Sequence, residues 1–391
     1  MKERKFETIA VRNQSKKSQN REHSVPIYPT SSYVFESADH ARALFQDEVE
    51  GTIYSRYSNP NNDEFIEKLC LMEGLPKGMA TASGMAAVFT SLGAFLSSGD
   101  HVVASRSIFG STHQVLTKIL PRWGITHTYV DGNDPDVWEA AIKPNTKMLF
   151  FETPSNPALE LIDIEAIAEL GRSRGLIVNV DNCFASPYLQ NPAKYGVDLI
   201  THSATKFIDG QGRVLGGAVL TSEELFPDLK YMCRHTGPSM SPFHGWVLSK
   251  SLETLAARMD RHCANALKLA EALEDVEGIS FVRYPFLKSH PQFDLAKKQM
   301  SQGGGMVTIE LEGGLERGKR FLDNLQMITL SANLGDTRTI ATHPSSTTHS
   351  KLTEEERQAV GITPGMVRIS VGLEHADDII DDIVQAVEKS K

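Results

Sequence analysis

One lysine, Lys206, lies where a lysine could act as a nucleophile. It follows a short apolar run and small hydroxyl residues, in Leu199-Ile-Thr-His-Ser-Ala-Thr-Lys206, and glycines come after it. An amine held at a strand end beside hydrogen-bond donors is placed to form an imine with an aldehyde, and pyridoxal phosphate (PLP) is the common cofactor that needs this. Alone, the pattern more often marks a solvated lysine, so the interpretation depends on the residues that accompany it.

Two polar residues after other predicted strands could contact the ring of such a cofactor. Asp181 closes the apolar run Leu176-Ile-Val-Asn-Val, and a carboxylate there could keep a pyridine nitrogen protonated. Asn156 lies in the turn Thr153-Pro-Ser-Asn-Pro157, where its amide could hydrogen-bond a ring hydroxyl. The structural alternatives are a capping aspartate and an Asx-turn.

A predicted helix start and two hydroxyl groups could bind a phosphate. Gly84 and Met85 follow Ser83 where a helix is predicted to begin, and free N–H groups together with the helix dipole favour an anion at such a position. Ser203 and Thr205 could add hydroxyl donors to the same phosphate. Many helices begin with Ser-Gly and bind nothing, and the two hydroxyls could also belong to an ordinary turn.

Two arginines are further candidates for binding anions. Arg56 lies in the run Tyr54-Ser-Arg-Tyr-Ser-Asn-Pro60 and suits bidentate contact with a phosphate, although the run could equally be a surface loop. Arg368 alternates with apolar residues in a predicted strand, so it needs an anionic partner. That partner is either a structural carboxylate or the carboxylate of a substrate.

Short apolar runs alternate with helical patterns through the first two thirds of the chain. Strands are predicted over residues 101–105, 147–152 and 175–181, and helices over 63–73, 83–96, 164–171 and 246–273. This alternation predicts βαβ units and a mostly parallel sheet. Residues 1–55 show little helical or strand periodicity. The last third predicts a smaller α+β domain with half-exposed strands over 304–312 and 365–372 and helices over 315–325 and 377–388.

The composition argues against several classes of function. The 391 residues carry a net charge of −9 and no dense stripe of basic residues, so nucleic acid is not expected as a partner. The first residues lack an apolar signal core, and no window approaches about 18 consecutive apolar residues, so we expect a cytoplasmic protein with no membrane contact. The four cysteines lack metal-ligand spacing, which indicates neither a zinc site nor a disulfide framework.

Together these segments resemble the PLP-dependent transsulfuration family, which includes cystathionine γ-synthase, cystathionine γ-lyase, methionine γ-lyase and the homoserine-ester sulfhydrylases. The resemblance extends from Pro26 to the C-terminal helix. Its most specific segments, in the family's order, are 54–60, 82–85, 154–157, 180–182, 203–206 and 367–372. It implies an α/β, type I PLP-dependent transferase fold with a smaller α+β C-terminal domain, assembled as a homotetramer. The expected units are an arm at 1–58 that contacts a neighbouring subunit, a PLP-binding domain at 59–250 and a substrate-side domain at 251–391.

The resemblance also implies a role for each candidate residue. Lys206 would bind the cofactor covalently and move protons, Asp181 would face the pyridine nitrogen, and Asn156 would face the ring hydroxyl. Arg368 would bind the substrate α-carboxylate. The phosphate would be bound by Gly84, Met85, Ser203 and Thr205, and by Tyr54 and Arg56 from the neighbouring subunit.

Three departures from the family pattern narrow the expected activity. The stacking tyrosine that the synthases and lyases commonly carry is Phe109 here, which can stack on the cofactor but has no hydroxyl for proton transfer. The Glu-Ser-Leu-Gly of the lyases and synthases is Ala332-Asn-Leu-Gly335 here, which removes a carboxylate from the substrate pocket, places Asn333 in it and resembles the sulfhydrylases. The run that follows Lys206 and ends at Arg213 is similar to that of the sulfhydrylases that use O-succinylhomoserine.

The resemblance therefore implies that sulfide replaces the succinyl group of O-succinylhomoserine to give homocysteine for methionine biosynthesis. The expected ligands are PLP, an O-acylhomoserine and sulfide, with no metal. Three alternatives stay open: use of the acetyl ester, cystathionine γ-synthase or γ-lyase chemistry on the same scaffold, and a non-enzymatic α/β protein that has kept the fold.

Overall fold

A seven-stranded sheet occupies the middle of the chain in the computed structural model, which describes residues 4–132, 134–347, 350, 353–359 and 361–391. Its strands are β1 (Lys77–Thr81), β2 (His101–Ser105), β3 (Thr126–Val130), β4 (Thr146–Glu152), β5 (Ile177–Asp181), β6 (Leu199–Ser203) and β7 (Gly217–Thr221). They are ordered β1-β7-β6-β5-β4-β2-β3. Strands β2 to β6 run parallel, whereas β7 is antiparallel to both of its neighbours. The prediction of a mostly parallel sheet is confirmed.

Helices cover both faces of this sheet and continue into the last third of the chain. They are α1 (Phe6–Arg12), α2 (Ala38–Phe45), α3 (Pro60–Glu73), α4 (Gly84–Gly93), α5 (Gly110–Gln114), α6 (Pro135–Ala141), α7 (Ile164–Arg174), α8 (Ser186–Leu189), α9 (Phe226–Thr236), α10 (Pro242–Leu252), α11 (Leu255–Leu273), α12 (Phe293–Gln299), α13 (Gly314–Asn324), α14 (Glu354–Ala359) and α15 (Ala376–Lys389). A π-helical turn spans Val115–Ile119, and 3₁₀ turns span Leu120–Trp123, Pro192–Tyr195 and Pro344–Ser346.

Local sequence explains where the helices near the sheet begin and end. The Ser83 side chain caps α4 by accepting a hydrogen bond from the N–H of Ala86, and Asp163 caps α7 in the same way. Helix α3 stops at Gly74, whose φ of 83° is a left-handed conformation that favours glycine. Helices α4 and α7 thus begin at these caps after β1 and β4, and α3 ends just before β1.

A second sheet, of five strands, lies in the last third of the chain. Its strands are β8 (Ile279–Arg283), β9 (Met306–Leu311), β10 (Thr329–Leu330), β11 (Ile340–Thr342) and β12 (Met366–Ser370), ordered β10-β11-β12-β9-β8. The prediction of half-exposed strands is wrong, because β12 is buried throughout and β9 nearly so. Apolar residues of α11, α13 and α15 pack on one side of this sheet, and the loop after β4 contacts the other through Thr308 Oγ1, which donates to the Pro157 carbonyl at 2.7 Å.

Two other predictions are corrected. Residues 1–55 contain α1 and α2, whose helical periodicity was too short to detect in a polar segment. The predicted helix over 246–273 is broken between α10 and α11. The Ser251 carbonyl there accepts hydrogen bonds from the Thr254 N–H at 3.2 Å and from the Arg258 guanidinium at 3.0 Å, so the helical pattern does not continue.

A buried histidine in α11, His262, predicts that the fold is sensitive to acid. Burial lowers the pKa of His262 from 6.5 to about 4, and its Nδ1 lies 2.6 Å from the Val371 carbonyl oxygen. Because the unfolded chain takes up a proton at this histidine near pH 6.5 and the folded chain does so only near pH 4, the full stability of the fold is present above pH 6.5. It falls as the pH drops from 6.5 towards 4, by roughly 3 kcal/mol at most. His262→Gln keeps an N–H donor without titrating, so we expect urea denaturation between pH 7 and 5 to show a smaller loss of stability. The exposed His235→Gln is the control, and an identical pH slope in His262→Gln and the unmodified chain would contradict this account.

Candidate active site

The carboxyl ends of three neighbouring parallel strands meet at one edge of the large sheet. Glu152 ends β4, Asp181 ends β5 and Ser203 ends β6. Glu152 and Asp181 are register partners, and so are Asp181 and Thr201. Ligands in open parallel sheets bind outside this edge, and Lys206 follows Ser203 by three residues. The structure thus brings the predicted lysine and aspartate to the same edge.

Lys206 is held by contacts to its side chain and to its backbone. Its Nζ donates to Asn333 Oδ1 at 2.9 Å, and its carbonyl accepts from the Gly210 N–H at 2.8 Å. Burial lowers the pKa of Lys206 below its usual value, and the positive charge of Arg368 adds to the shift. A lower pKa increases the neutral, nucleophilic fraction of the amine.

The loop after Lys206 is fixed by the buried Arg258. Its Nη1 donates to the Phe207 carbonyl at 2.6 Å and its Nη2 to the Ile208 carbonyl at 3.1 Å. Gly210 adopts a φ of 70°, and a Cβ at this position would lie 2.0 Å from Arg258 Nη1. Arg258 therefore positions the backbone that carries Lys206.

Two buried carboxyl groups lie side by side at the strand ends. Burial raises the pKa of Asp181 to about 6, and the nearby His202 opposes the shift. Burial and the charge of Asp181 raise the pKa of Glu152 well above its usual value. Glu152 Oε2 accepts a hydrogen bond from the Phe109 N–H at 2.8 Å. Like charges this close favour one protonated and one ionised group, and Glu152 is the more strongly shifted.

Sequence reasoning missed Glu152, although a signal was present. Glu152 ends its strand just as Asp181 ends the next one, and both follow apolar runs. It also missed a buried pair behind Asp181, in which His202 Nε2 lies 2.6 Å from Glu73 Oε1 and Asn182 Nδ2 donates to the same oxygen at 2.8 Å. These contacts join residues more than 100 positions apart, so no local pattern could indicate them.

Arg368 and Asn156 come together from the two sheets. Arg368 Nη1 donates to Asn156 Oδ1 at 3.1 Å, and Nη2 donates to the Asn333 carbonyl at 3.1 Å. Burial lowers the pKa of Arg368 to about 10, with Glu152 opposing the shift. Its buried Nε has no hydrogen-bond partner among the described residues. A buried guanidinium with an unpaired N–H is suited to bind an anionic ligand.

The first turn of α4 packs against the end of β6. A Cβ on Gly84 would lie 2.4 Å from Ser203 Cβ, so only glycine permits this approach. The Ser83 hydroxyl oxygen accepts a hydrogen bond from the Ala86 N–H at 3.1 Å. The N–H groups of Gly84 and Met85 have no acceptor within the described part of the chain. Thr205 differs from the expectation of a free donor, because its hydroxyl bonds to the Gly216 carbonyl at 3.3 Å and the Gly216 N–H at 3.1 Å.

Two predicted phosphate ligands lie against other residues of their own chain. The Arg56 guanidinium lies 4.7 Å from the centre of the Tyr57 ring and donates to the Arg234 carbonyl. The Tyr54 side chain is 41% exposed. Their contact with a neighbouring subunit stays a prediction. Phe109, 40% exposed, stands at the start of α5, and its stacking on a ring likewise stays a prediction.

The residues at the strand ends fit PLP. The free N–H groups at the start of α4 suit its phosphate, the partly buried Lys206 suits its aldehyde, and the buried carboxylate of Asp181 suits its pyridine nitrogen. The unpaired Arg368 Nε suits an anionic substrate beside it. Over the described ranges, no group of three or more acidic, histidine or cysteine side chains could hold a metal ion. No described helix combines the length and apolar character needed to cross a bilayer.

Comparison with known proteins gives the family. The O-succinylhomoserine sulfhydrylase of Mycobacterium tuberculosis is 49% identical over 97% of this chain and 95% of its own length. That of Pseudomonas aeruginosa is 45% identical over 98% and 95%. The L-methionine gamma-lyase of Fusobacterium nucleatum is 42% identical over 94% and 93%.

A solved structure, that of an O-acetylhomoserine (thiol)-lyase, has the same fold as this chain. The metY protein of Campylobacter jejuni, crystallised with N′-pyridoxyl-lysine-5′-monophosphate, superposes with a TM-score of 0.94 at 37% identity and covers 98% of this chain and 99% of that one. Residues 7–388 match the family described as Cys/Met metabolism PLP-dependent enzyme. The chain belongs to this family and is a PLP-dependent enzyme of the transsulfuration type.

Proposed function

We propose that the enzyme replaces the succinyl group of O-succinylhomoserine with sulfide, releasing homocysteine and succinate. The observation that carries the proposal is the pocket beside Lys206, whose lining includes Ala332 and Asn333 and no acidic residue. Two curated relatives, at 49% and 45% identity, carry the name of the same reaction and support the proposal. In the net change, the Cγ–O bond breaks, succinate leaves with the electron pair, and hydrosulfide forms the Cγ–S bond.

The side chains divide the work of this reaction. When bound, PLP supplies an electron-withdrawing ring that accepts the charge released as protons leave the substrate. Arg368, with its unpaired Nε, binds the α-carboxylate and orients the α-proton towards Lys206. Lys206 Nζ, positioned by Asn333 Oδ1, takes and returns protons. Because Phe109 has no hydroxyl, Lys206 is the main proton carrier.

Other residues hold the cofactor in this proposal. Asp181 pairs with the pyridine nitrogen, and the amide of Asn156 faces the ring hydroxyl, while its oxygen accepts from Arg368. The phosphate lies at the close contact of Gly84 and Ser203. It is bound by the N–H groups of Gly84 and Met85, by the Ser203 hydroxyl, and by Tyr54 and Arg56 of a neighbouring subunit, while the Thr205 hydroxyl stays bonded to Gly216.

The proposal also covers the units of the chain and the assembly of the enzyme. An arm at 1–58 contacts a neighbouring subunit, residues 59–250 bind PLP, and residues 251–391 close the substrate side. The enzyme is a cytoplasmic homotetramer. The break between α10 and α11 lies next to the proposed boundary, and the Arg368 contact to Asn156 joins the two units at the site.

The lining of the pocket favours sulfide over cysteine as the nucleophile. Cysteine carries an ammonium group that needs an anionic partner when it is desolvated. Ala332 offers none, and the remaining lining residues are not acidic. Hydrosulfide is small and anionic and needs no such partner.

The test is a comparison of products from O-succinylhomoserine with sulfide and with cysteine as co-substrates. We expect homocysteine from sulfide to form faster than cystathionine from cysteine at equal concentrations. Faster cystathionine formation would refute the proposal in favour of a γ-synthase. Rapid release of methanethiol from methionine, with no homocysteine from sulfide, would favour the γ-lyase activity of the Fusobacterium relative.

A further inference from the structure

One arginine in the wall of the Lys206 pocket has no role in the reaction as described so far. The pocket has a volume of about 350 Å³ and is lined by Thr205, Lys206, Gly212, Arg213, Val214, Leu215, Ala332 and Asn333. Among these lining residues, Lys206 and Arg213 carry the charged side chains. Because Lys206 serves the chemistry, Arg213 is the cation that is available to a ligand.

The Arg213 guanidinium is held by hydrogen bonds through Nε and Nη2, and within the described part of the chain its Nη1 is free to bind a ligand. Its Nε donates to Asp209 Oδ1 at 3.1 Å, and its Nη2 donates to the Asp209 carbonyl at 2.9 Å and to Ser251 Oγ at 2.5 Å. Its Nη1 has no acceptor among the described residues, and the side chain is 40% exposed. The anchoring fixes the guanidinium in one orientation, so binding an anion through Nη1 costs little side-chain entropy.

Asp209 is the ion-pair partner of Arg213, because its Oδ1 lies 3.1 Å from both Nε and Nη2, and Nη1 is the part of the guanidinium that is left for a second anion. Asp209 is fully buried, and its Oδ2 accepts from the Arg213 N–H at 2.7 Å. The carboxylate is thus shared with a backbone donor and faces away from solvent. Arg338, a second nearby cation, is not among the lining residues of this pocket, and its Nε and Nη2 donate to the two oxygens of the Asp336 carboxylate at 2.9 Å.

Apolar side chains continue the wall from Arg213. Val214 is buried, with 8% of its surface exposed, and Leu215 is 57% exposed. A cation at one end and apolar side chains beside it match a short hydrocarbon chain that ends in a carboxylate. An acetyl group matches neither feature, because it has one methyl group and no charge.

We propose that Arg213 Nη1 binds the free carboxylate of a dicarboxylic acyl group on the substrate, and that Val214 and Leu215 contact its methylene groups. Arg213 thereby selects the succinyl ester over the acetyl ester. This inference rests on the proposed function, since the acyl group must leave from the carbon that reacts beside Lys206.

The test is the ratio of kcat/KM for O-succinylhomoserine to kcat/KM for O-acetylhomoserine, with sulfide as co-substrate. A hydrogen bond to a charged group predicts that Arg213→Gln lowers this ratio by about 10- to 100-fold. Arg213→Lys, which keeps the charge, should recover part of it. Arg338→Gln removes the same charge nearby and should leave the ratio unchanged. An equal fall with both esters in Arg213→Gln, which loss of the Asp209 anchor alone would cause, overturns the proposal.

Calorimetric titration separates this inference from the proposed function. Succinate and butyrate are titrated into the unmodified holoenzyme and into Arg213→Gln, because butyrate lacks the second carboxylate. We expect the variant to lose affinity for succinate and to bind butyrate as the unmodified enzyme does. Equal succinate affinity in both proteins contradicts a role for Arg213. Failure of the unmodified enzyme to use either ester with sulfide would instead refute the proposed function and leave the binding result standing.

Discussion

Replacing Lys206 with alanine is expected to lower kcat by about 10³-fold or more while the protein stays folded. The change removes the amine that carries protons and links the cofactor, and Asn333 loses only one hydrogen bond. The loop backbone keeps its contacts to Arg258, so the fold should persist. Steady-state kinetics, visible absorbance of the bound cofactor and thermal unfolding give the three readouts.

The matched control is Lys268→Ala, which removes an exposed lysine that pairs with Asp377 on the surface. It should retain full activity and normal cofactor absorbance. If Lys206→Ala kept more than about a tenth of the unmodified kcat, the general acid–base role given to Lys206 would be refuted.

Asp181→Asn is expected to lower kcat/KM by about 10²- to 10³-fold and to weaken the binding of PLP. A neutral amide cannot stabilise a positive charge on the pyridine nitrogen, although it fills the same space. Burial raises the pKa of Asp181 to about 6, and a cation bound beside this carboxyl lowers that pKa and favours the ionised form. Kinetics and equilibrium dialysis with PLP measure the two effects.

Asp198→Asn serves as the control for this substitution. Burial also raises the pKa of Asp198, but Asp198 directly precedes β6, at the opposite end from the site, and its carboxylate accepts from the N–H of Val178 in β5. The control should change stability more than it changes cofactor affinity. If the two variants bound PLP equally well, Asp181 would not be the partner of the ring nitrogen.

The structure brings together at one edge of the sheet several candidate residues that follow predicted strands. Asp181, Ser203 and Lys206 each come shortly after an apolar run, and parallel strands bring such positions to one edge. The fold class and the family are confirmed by the solved metY structure and the match over residues 7–388. The individual residue roles stay predictions.

The features that the sequence did not predict depend on contacts between distant segments. The Glu73–His202 pair joins β6 to the end of α3, and the Arg368–Asn156 contact joins the two sheets. The break between α10 and α11 arises because the Arg258 side chain bonds the Ser251 carbonyl, which a search for periodic leucines does not detect. The half-exposed strands were mispredicted because two-residue alternation reports polarity along one strand and not what covers its second face.

The most direct test of the account is the identity of the lysine that binds PLP. The holoenzyme is reduced with borohydride and digested, and the pyridoxyl-bearing peptide is sequenced by mass spectrometry. We expect a single modified residue, Lys206, in the peptide that contains Ser203-Ala-Thr-Lys206. A pyridoxyl group on any other lysine, with Lys206 unmodified, would contradict this expectation.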